Sequence, residues 1–550
     1  MHIPPAVRQI ATKMWSSPVA LFLLLINVMS NLAAELWGHN EGSVLLIPAL
    51  SALTSTIEFG IYLLLRKIRL HHAFLVIVVA WHLVLGIVDG YLALTFHCII
   101  GRDIFRIIAE TTPQEARAFF SAYVTTPVLG AAIATAIAAT LTALLLAKVL
   151  SKRGVATMCY GMLAVGGAAA CIYSGYHYLI YRDGSGIPQL QATTRFIHGL
   201  GEFNALHRQI ASLRAANATV TATSTTSHPA TVVVIIGESY SAFHSQLYGY
   251  DKETTPCLAK RADQGQLIVY SDAATLYDRT EATMRSIFTL NSSMGSQSQS
   301  PLFPVCFKAA GYHTSMLDNQ YFVIDNGISV LNDKTLSEMM FDERNGRRFG
   351  YDANMLRSIT HGHGPQLYVI HLYGQHFDYK DRYPQEFEHF HSDDYPSMNA
   401  EQGTITAQYD NATRYNDYVV DRIIGMFEGQ NCVIVYLSDH GEELFELGNF
   451  RGHSTAAYSA NPIYQLKVPF MVWMSEQFEH IHPEKARLIR KAVNRPILTD
   501  ELPHFLMDVA EIQTSHYRPE KSFINERYDS VKPRVVMHSI DYNSLTPPSR

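Results

Sequence analysis

The chain has 550 residues, more than one hydrophobic core usually supports, so at least two domains are expected. Its formal net charge is -6 and 17% of its residues are charged. With no basic stripe in the polar part, nucleic acid is not an expected partner.

Five long apolar runs occupy the first 180 residues: Pro18 to Ala34, Ser43 to Leu65, Ala73 to Leu94, Val128 to Ala147 and Ala156 to Leu179. Most approach the roughly 20 residues needed to cross a bilayer, and they are read as five transmembrane helices. The first has no small-residue cleavage site and is followed by more spans, so it is expected to remain as an anchor. Arg8 and Lys13 precede the first span, Arg66, Lys67 and Arg69 follow the second, and Lys148, Lys152 and Arg153 follow the fourth. The positive-inside rule then puts the N-terminus in the cytoplasm and everything beyond about Tyr181 outside. Glu58 and Asp89 fall toward span ends, where snorkelling to the interface competes with an interior role.

Residues 181–230 are expected to connect the two domains. The segment "QATTRFIHGLGEFNALHRQIAS" has apolar residues at intermittent helical spacing, and "NATVTATSTTSHPA", Asn217 to Ala230, reads as a small, polar linker. From Thr231 short strands alternate with helical segments, the pattern of an α/β layer sandwich over 231–550. Six cysteines are divided between the membrane region (Cys98, Cys159, Cys171) and the outer domain (Cys257, Cys306, Cys432), so the latter can form at most one internal disulfide.

The strands are informative where they stop. "TVVVIIGES" runs into Glu238, "HTSMLDNQ" into Asp318, "LYVIHLYGQH" into His371 and His376, and "CVIVYLSDHGEE" into Asp439 and His440. Fully apolar strands imply a parallel sheet covered on both faces, and ligands of such sheets gather at the strands' carboxyl ends. A lone strand-end Asp or His is most often a turn residue. Here Glu238, Asp439 and His440 converge as two carboxylates and an imidazole, a donor set suited to zinc, with His376 and His453 able to extend it. In "DRTEATMRSIFTL" both Thr280 and Thr283 precede an apolar helical run, so either hydroxyl is a candidate nucleophile at a helix N-terminus, or simply an N-cap.

The motifs "GESYSAFHSQLYGYDKETTP", "AGYHTSMLDNQ", "HLYGQHFDYKDRYP", "YLSDHGEE" followed by "GH", and "VPFMVW" occur in order. With the five apolar runs, they resemble the membrane-anchored phosphoethanolamine transferases of Gram-negative bacteria, in the alkaline phosphatase and sulfatase superfamily. The resemblance implies a five-helix transmembrane domain (1–180) followed by a sulfatase-like α/β catalytic domain in the periplasm, anchored in the inner membrane. It also implies a chain that works as a monomer.

The same resemblance implies that Thr283 takes up phosphoethanolamine from phosphatidylethanolamine and passes it to a lipopolysaccharide acceptor, core or lipid A. Glu238, Asp439, His440 and Thr283 itself would bind one zinc ion, with a second zinc as a further option. His376 and His453 match positions at the transferred phosphate or second zinc, His371 would support the site, and Asn319 and Gln320 would touch substrate. Thr111 and Glu115, in "AETTPQEARAFF", fit positions that guide lipid, although Ile107 stands where a polar residue is expected one turn earlier. Members that modify lipid A usually carry several disulfides and a cysteine soon after the nucleophile. The sequence "TMRSIFTL" has none, which favours the branch that decorates the core or another periplasmic acceptor. A phosphoglycerol transferase of the same superfamily is the alternative; a sulfatase would need a C/S-x-P-x-R context that the nucleophile region lacks, and a sensor is the reading least favoured.

Overall fold

The computed structural model describes residues 17–37, 47–96, 98–111, 116–117, 119–120, 124, 126–150, 192–290, 300–321, 323–325, 327–453 and 461–547. The chain divides into two compact units, Met1–Ala205 and Leu206–Arg550.

The first unit contains helices α1 (Pro18–Trp37), α2 (Ile47–Lys67), α3 (His71–Phe96), α4 (Arg102–Glu110) and α5 (Thr126–Leu150). Helix α3 and the Pro127–Leu150 part of α5 are long and apolar enough to cross a membrane, while α1 contributes a shorter apolar stretch, Pro18–Asn31. Polar residues such as Ser51, Thr54, Ser55 and Glu58 dilute α2. The expected fifth span lies outside the described residues. Both acids near the span ends have interior partners. Asp89 is fully buried and accepts from Arg195 Nη2 at 2.6 Å and from the Ile100 N–H at 2.7 Å. Glu58 accepts from Asn27 Nδ2 at 2.9 Å and lies 3.5 Å from His82 Nε2. Buried partners, rather than snorkelling, satisfy these carboxylates.

Helix α6 (Ala192–Asn217) covers the segment read as a helical connector. In the polar stretch after it, Thr223–Ser224 pair antiparallel with Ile512–Gln513.

The second unit is built on a seven-stranded sheet: β1 (Thr231–Gly237), β2 (Leu267–Tyr270), β3 (His313–Asp318), β4 (Glu343–Arg344), β5 (Gln366–His371), β6 (Cys432–Ser438) and β7 (Phe470–Met474). Their spatial order is β2-β7-β6-β1-β5-β3-β4. The pairs β6-β1, β1-β5, β5-β3 and β3-β4 are parallel, and β7 is antiparallel to both its neighbours. The expected wholly parallel sheet is therefore mixed, because a strand covered on both faces is apolar whichever way it runs.

β1 shows why apolar, β-branched residues dominate. Val232, Val234 and Ile236 enter one core with Met284, Ile287 and Phe288 of helix α7 (Thr280–Phe288), while Val233 and Ile235 enter the opposite core. There they meet Val419, Val420, Ile423 and Phe427 of helix α8 (Ala400–Phe427). A capping box starts α8: Asn399 accepts from the Gln402 N–H, and the Gln402 side chain returns to the Asn399 N–H. The sheet is thus clamped between helical layers, and its carboxyl edge is fixed.

Ile235→Ala should destabilise the second unit by about 2–5 kcal/mol, through lost burial and an unfilled cavity in the central strand. Urea unfolding of residues 206–550, followed through Trp473, the one tryptophan beyond residue 205, measures it. A change below 1 kcal/mol, roughly the smallest cavity effect, would contradict this packing.

Candidate metal centre and active site

Adjacent parallel strands β1 and β6 end at Gly237 and Ser438, which are paired in register, so the next residues, Glu238 and Asp439, leave the sheet side by side. His440 follows. All three are fully buried, and their candidate ligand atoms lie within 4.8 Å of one another. His440 Nε2 is 3.3 Å from Glu238 Oε1 and 3.2 Å from Asp439 Oδ2.

Local hydrogen bonds leave the ligand atoms directed inward. His440 Nδ1 lies 2.9 Å from the Gly441 carbonyl; donating a proton there leaves the Nε2 lone pair for the cluster. Asp439 Oδ1 accepts from the N–H groups of Ser239 at 3.0 Å and His440 at 2.7 Å, whereas Oδ2 is buried without a hydrogen-bond donor among the described residues. An orphaned carboxylate oxygen facing a second carboxylate and an imidazole suits a zinc ion held by three protein ligands. Burial, then the neighbouring Glu238, pushes the Asp439 carboxyl up to about 7. Burial alone would lower His440, but Asp439 and Glu238 outweigh it and raise the imidazole to about 10.

The backbone at this point is held under strain. Ser239 has a left-handed φ of 56°, kept by its own N–H on Asp439 and by the Tyr409 hydroxyl on its carbonyl at 2.6 Å. Gly374, at φ 49°, packs against Glu238 so closely that a Cβ there would lie 2.9 Å from the Glu238 backbone N and O.

Helix α7 places the two threonines differently. Its N-cap is Arg279, so Thr280 is the first helical residue rather than the cap. Thr280 Oγ1 lies 3.2 Å from each Glu238 carboxylate oxygen and 3.4 Å from His440 Nε2. Thr283 was expected as the nucleophile and a metal ligand, but its hydroxyl turns to Thr275 Oγ1 at 3.3 Å and the Tyr277 carbonyl at 3.2 Å. Three residues along a helix is a rise of about 4.5 Å, enough to move a side chain from the site into the protein interior.

Asn319 and Gln320 also differ from expectation. Both are buried, and their amide nitrogens are engaged within the protein, while Gln320 Oε1 is buried without a hydrogen-bond donor among the described residues. Gln320 Nε2 donates to Glu238 Oε2 at 2.9 Å and to the Leu372 carbonyl at 2.8 Å. Asn319 Nδ2 donates to Asp352 Oδ1 at 2.8 Å, and Asp352 accepts the N–H groups of Tyr373 and Gly374. These hydrogen bonds hold Glu238 and its covering loop in place. His371 completes the support, with Nδ1 3.1 Å from Asp318 Oδ1 and Nε2 3.0 Å from Gln320 Nε2.

His376 is 5% exposed and stacks on Tyr373 and Phe377, with centroids 5.2 and 4.4 Å apart. Burial pushes it down to about 3, aided by Arg382 and His453 against the opposing Glu238, so the ring is neutral. His453 stands with its ring centroid 4.1 Å from that of His440 and its Nδ1 2.8 Å from Glu442 Oε2. His440, Glu442 and His453 form a second group able to hold a metal. Sequence reading passed over Glu442, although it lies two residues beyond His440 in the quoted "SDHGEE". Thr111 belongs to the first unit, where its hydroxyl donates to the Ile107 carbonyl at 2.6 Å after α4; Glu115 lies outside the described residues. Cys257, Cys306 and Cys432 are free thiols.

The sulfatase family model matches residues 230–512, just over half of the chain. The chain belongs to the sulfatase family. A second model, phosphoethanolamine transferase EptA/EptB, matches residues 59–185 of this sulfatase-family chain, as its motifs implied. Phosphoethanolamine transferase EptC of Escherichia coli (strain K12) is 30% identical over 339 residues, and CptA of Salmonella typhimurium is 27% identical over 338. Each alignment covers 58% of this chain and 58% of the relative's own length. The crystal structure of the periplasmic domain of EptC from Escherichia coli in complex with Zn superposes with a TM-score of 0.51 at 27% identity, covering 59% of this chain and 96% of that one. The integral membrane lipooligosaccharide phosphoethanolamine transferase A from Neisseria meningitidis has the same fold over 92% of this chain and 98% of its own, with a TM-score of 0.61 at 18% identity.

Zinc and protons compete for the same atoms, so zinc retention under a competing chelator should fall as pH is lowered from about 10, where His440 takes up a proton, and further through about 7, where Asp439 does. Gln320→Ala, which removes the amide on Glu238, should weaken zinc binding about 10–100-fold. Retention independent of both pH and Gln320 would place the metal elsewhere.

Proposed function

We propose that this chain transfers phosphoethanolamine from phosphatidylethanolamine to a lipopolysaccharide acceptor, core or lipid A, through a covalent intermediate on Thr280. The observation that carries this reading is Thr280 Oγ1 at the start of α7, within 3.4 Å of Glu238 and His440. Zinc held by Glu238, Asp439 and His440 supplies positive charge that lowers the pKa of a bound hydroxyl and offsets charge on phosphoryl oxygens.

The chain's own groups do the rest. Thr280 points its hydroxyl at the Glu238 carboxylate, which takes up the Thr280 proton, and the N–H groups at the start of α7 would receive the phosphoryl oxygens. Oγ1 forms a bond to phosphorus as the bond from phosphorus to the glycerol oxygen breaks, and diacylglycerol leaves with a proton. His453 is the donor of that proton, its Nδ1 held by Glu442 so that Nε2 is presented. In the second half His453, left neutral by the first, accepts the proton of the acceptor hydroxyl as that oxygen bonds to phosphorus and the bond from phosphorus to Thr280 Oγ1 breaks, and Thr280 recovers the proton it passed to Glu238.

Thr280→Ala should abolish diacylglycerol release, and Thr280→Ser should keep part of it. Thr283→Ala should retain transfer while lowering thermal stability, because its hydroxyl serves the packing around Tyr277. Intact mass and peptide mapping after incubation with phosphatidylethanolamine should find the adduct on Thr280; an adduct on Thr283, or full activity of Thr280→Ala, would refute the assignment.

The membrane arrangement belongs to the same proposal: five spans in the bacterial inner membrane, a cytoplasmic N-terminus, a periplasmic catalytic unit, and a monomer working on lipids beside its anchor. A periplasm-dependent phosphatase fused after Arg550 should be active. Activity from a cytoplasm-only reporter at that position would overturn the topology.

A further inference from the structure

Asp278 is a buried carboxylate that the metal centre does not use. It sits two residues before Thr280, is 1% exposed, and neither side-chain oxygen has a hydrogen-bond donor among the described residues. Other acids close to the triad are committed. Glu442 is held by His453 and Tyr379, Glu443 by Gln465, and Glu446 by His244. It directly precedes Arg279, the N-cap of α7, and among the charged groups whose fields reach it are Arg279, His453 and His440. A carboxylate taken out of water with no hydrogen-bond donor on either oxygen is costly even with cations near it, and a ligand that brings an N–H donor and positive charge would relieve that cost.

Resting on the phosphoethanolamine-transfer reading, we propose that Asp278 receives the primary ammonium of the ethanolamine group while the phosphoryl group lies against Thr280. The reach is right: two residues of extended chain span at most about 7 Å, so carboxylate and nucleophile lie within the length of a short amino-alcohol ester. The sequence of bond changes gives the contact its purpose. Diacylglycerol leaves after the first step and the acceptor arrives for the second, so the ethanolamine arm is the part of the donor present in both. A carboxylate fixed beside Thr280 holds that arm aside and leaves the opposite face of phosphorus open to the acceptor. The ammonium-carboxylate contact, made away from water, also selects a primary amine over a neutral headgroup.

Two lipids test this in the full-length zinc protein: phosphatidylethanolamine and phosphatidylpropanol, which differ by an ammonium against a methyl group. Wild-type protein should favour the amine in kcat/KM, and Asp278→Asn should lower that ratio roughly 10- to 100-fold, the worth of a charge-assisted hydrogen bond. Zinc content and circular dichroism should stay at wild-type values. An unchanged ratio overturns the proposal, and loss of a zinc equivalent overturns it in favour of a metal-ligand role. A wild-type measurement stands apart from any folding defect of the variant: calorimetry should show O-phosphoethanolamine binding more tightly than propyl phosphate by a similar factor, and equal affinities overturn the proposal. If neither lipid releases diacylglycerol yet O-phosphoethanolamine is still preferred, the transfer reading fails and the ammonium site stands.

Discussion

Two carboxylates and an imidazole at zero exposure are the constraint on which the second unit rests. Burial and the neighbouring Glu238 raise the proton affinity of Asp439, and attraction to the two carboxylates raises that of His440. A cation offsets the carboxylate charge. Until one arrives, the surrounding structure must hold together a cluster that would otherwise spread or protonate, and much of the polar architecture beneath the strand ends serves that purpose. Arg344 fixes Asp318 at 2.7 Å, Asp318 meets His371, His371 meets Gln320, and Gln320 donates to Glu238. Ser239 in its left-handed conformation and Gly374 pressed against Glu238 are the backbone counterparts of the same support.

This also explains why the sheet comes before the chemistry. In-register pairing of Gly237 with Ser438 sets Glu238 beside Asp439 before any side chain chooses a rotamer. The strands carrying them are buried on both faces, so a shift of register would displace a whole apolar row as well as a ligand. Precision at the rim is inherited from hydrophobic packing below it.

Those rules also determine what could be read from the chain alone. Val232 to Ile236 and Val433 to Leu437 announce themselves as buried strands through composition, and the polar residues just beyond them stand out for that reason. Direction is not written in composition, so the antiparallel course of Phe470–Met474 stayed hidden. Thr280 and Thr283 differ only by depth along one helix, and depth depends on where the helix begins, which Arg279 as N-cap decides. Asn319 and Gln320 look like ligands for substrate because amides often are; only the positions of Glu238 and Asp352 show where their hydrogens go. Asp278 carries no periodic or motif signal, since its significance lies in the partners it lacks.

The Asp89–Arg195 pair in the first unit has a consequence for how this chain can drift in sequence. The carboxylate is fully buried and the guanidinium nearly so, with side-chain exposures of 0% and 3%. Losing either partner strands the other charge in a poorly solvated interior, whereas replacing both with apolar residues of similar volume carries little cost and can even stabilise. Positions 89 and 195 are therefore bound to a common fate despite lying 106 residues apart: each single step between the charged and apolar solutions crosses a less stable intermediate, and descendants of this chain should carry both charges or neither.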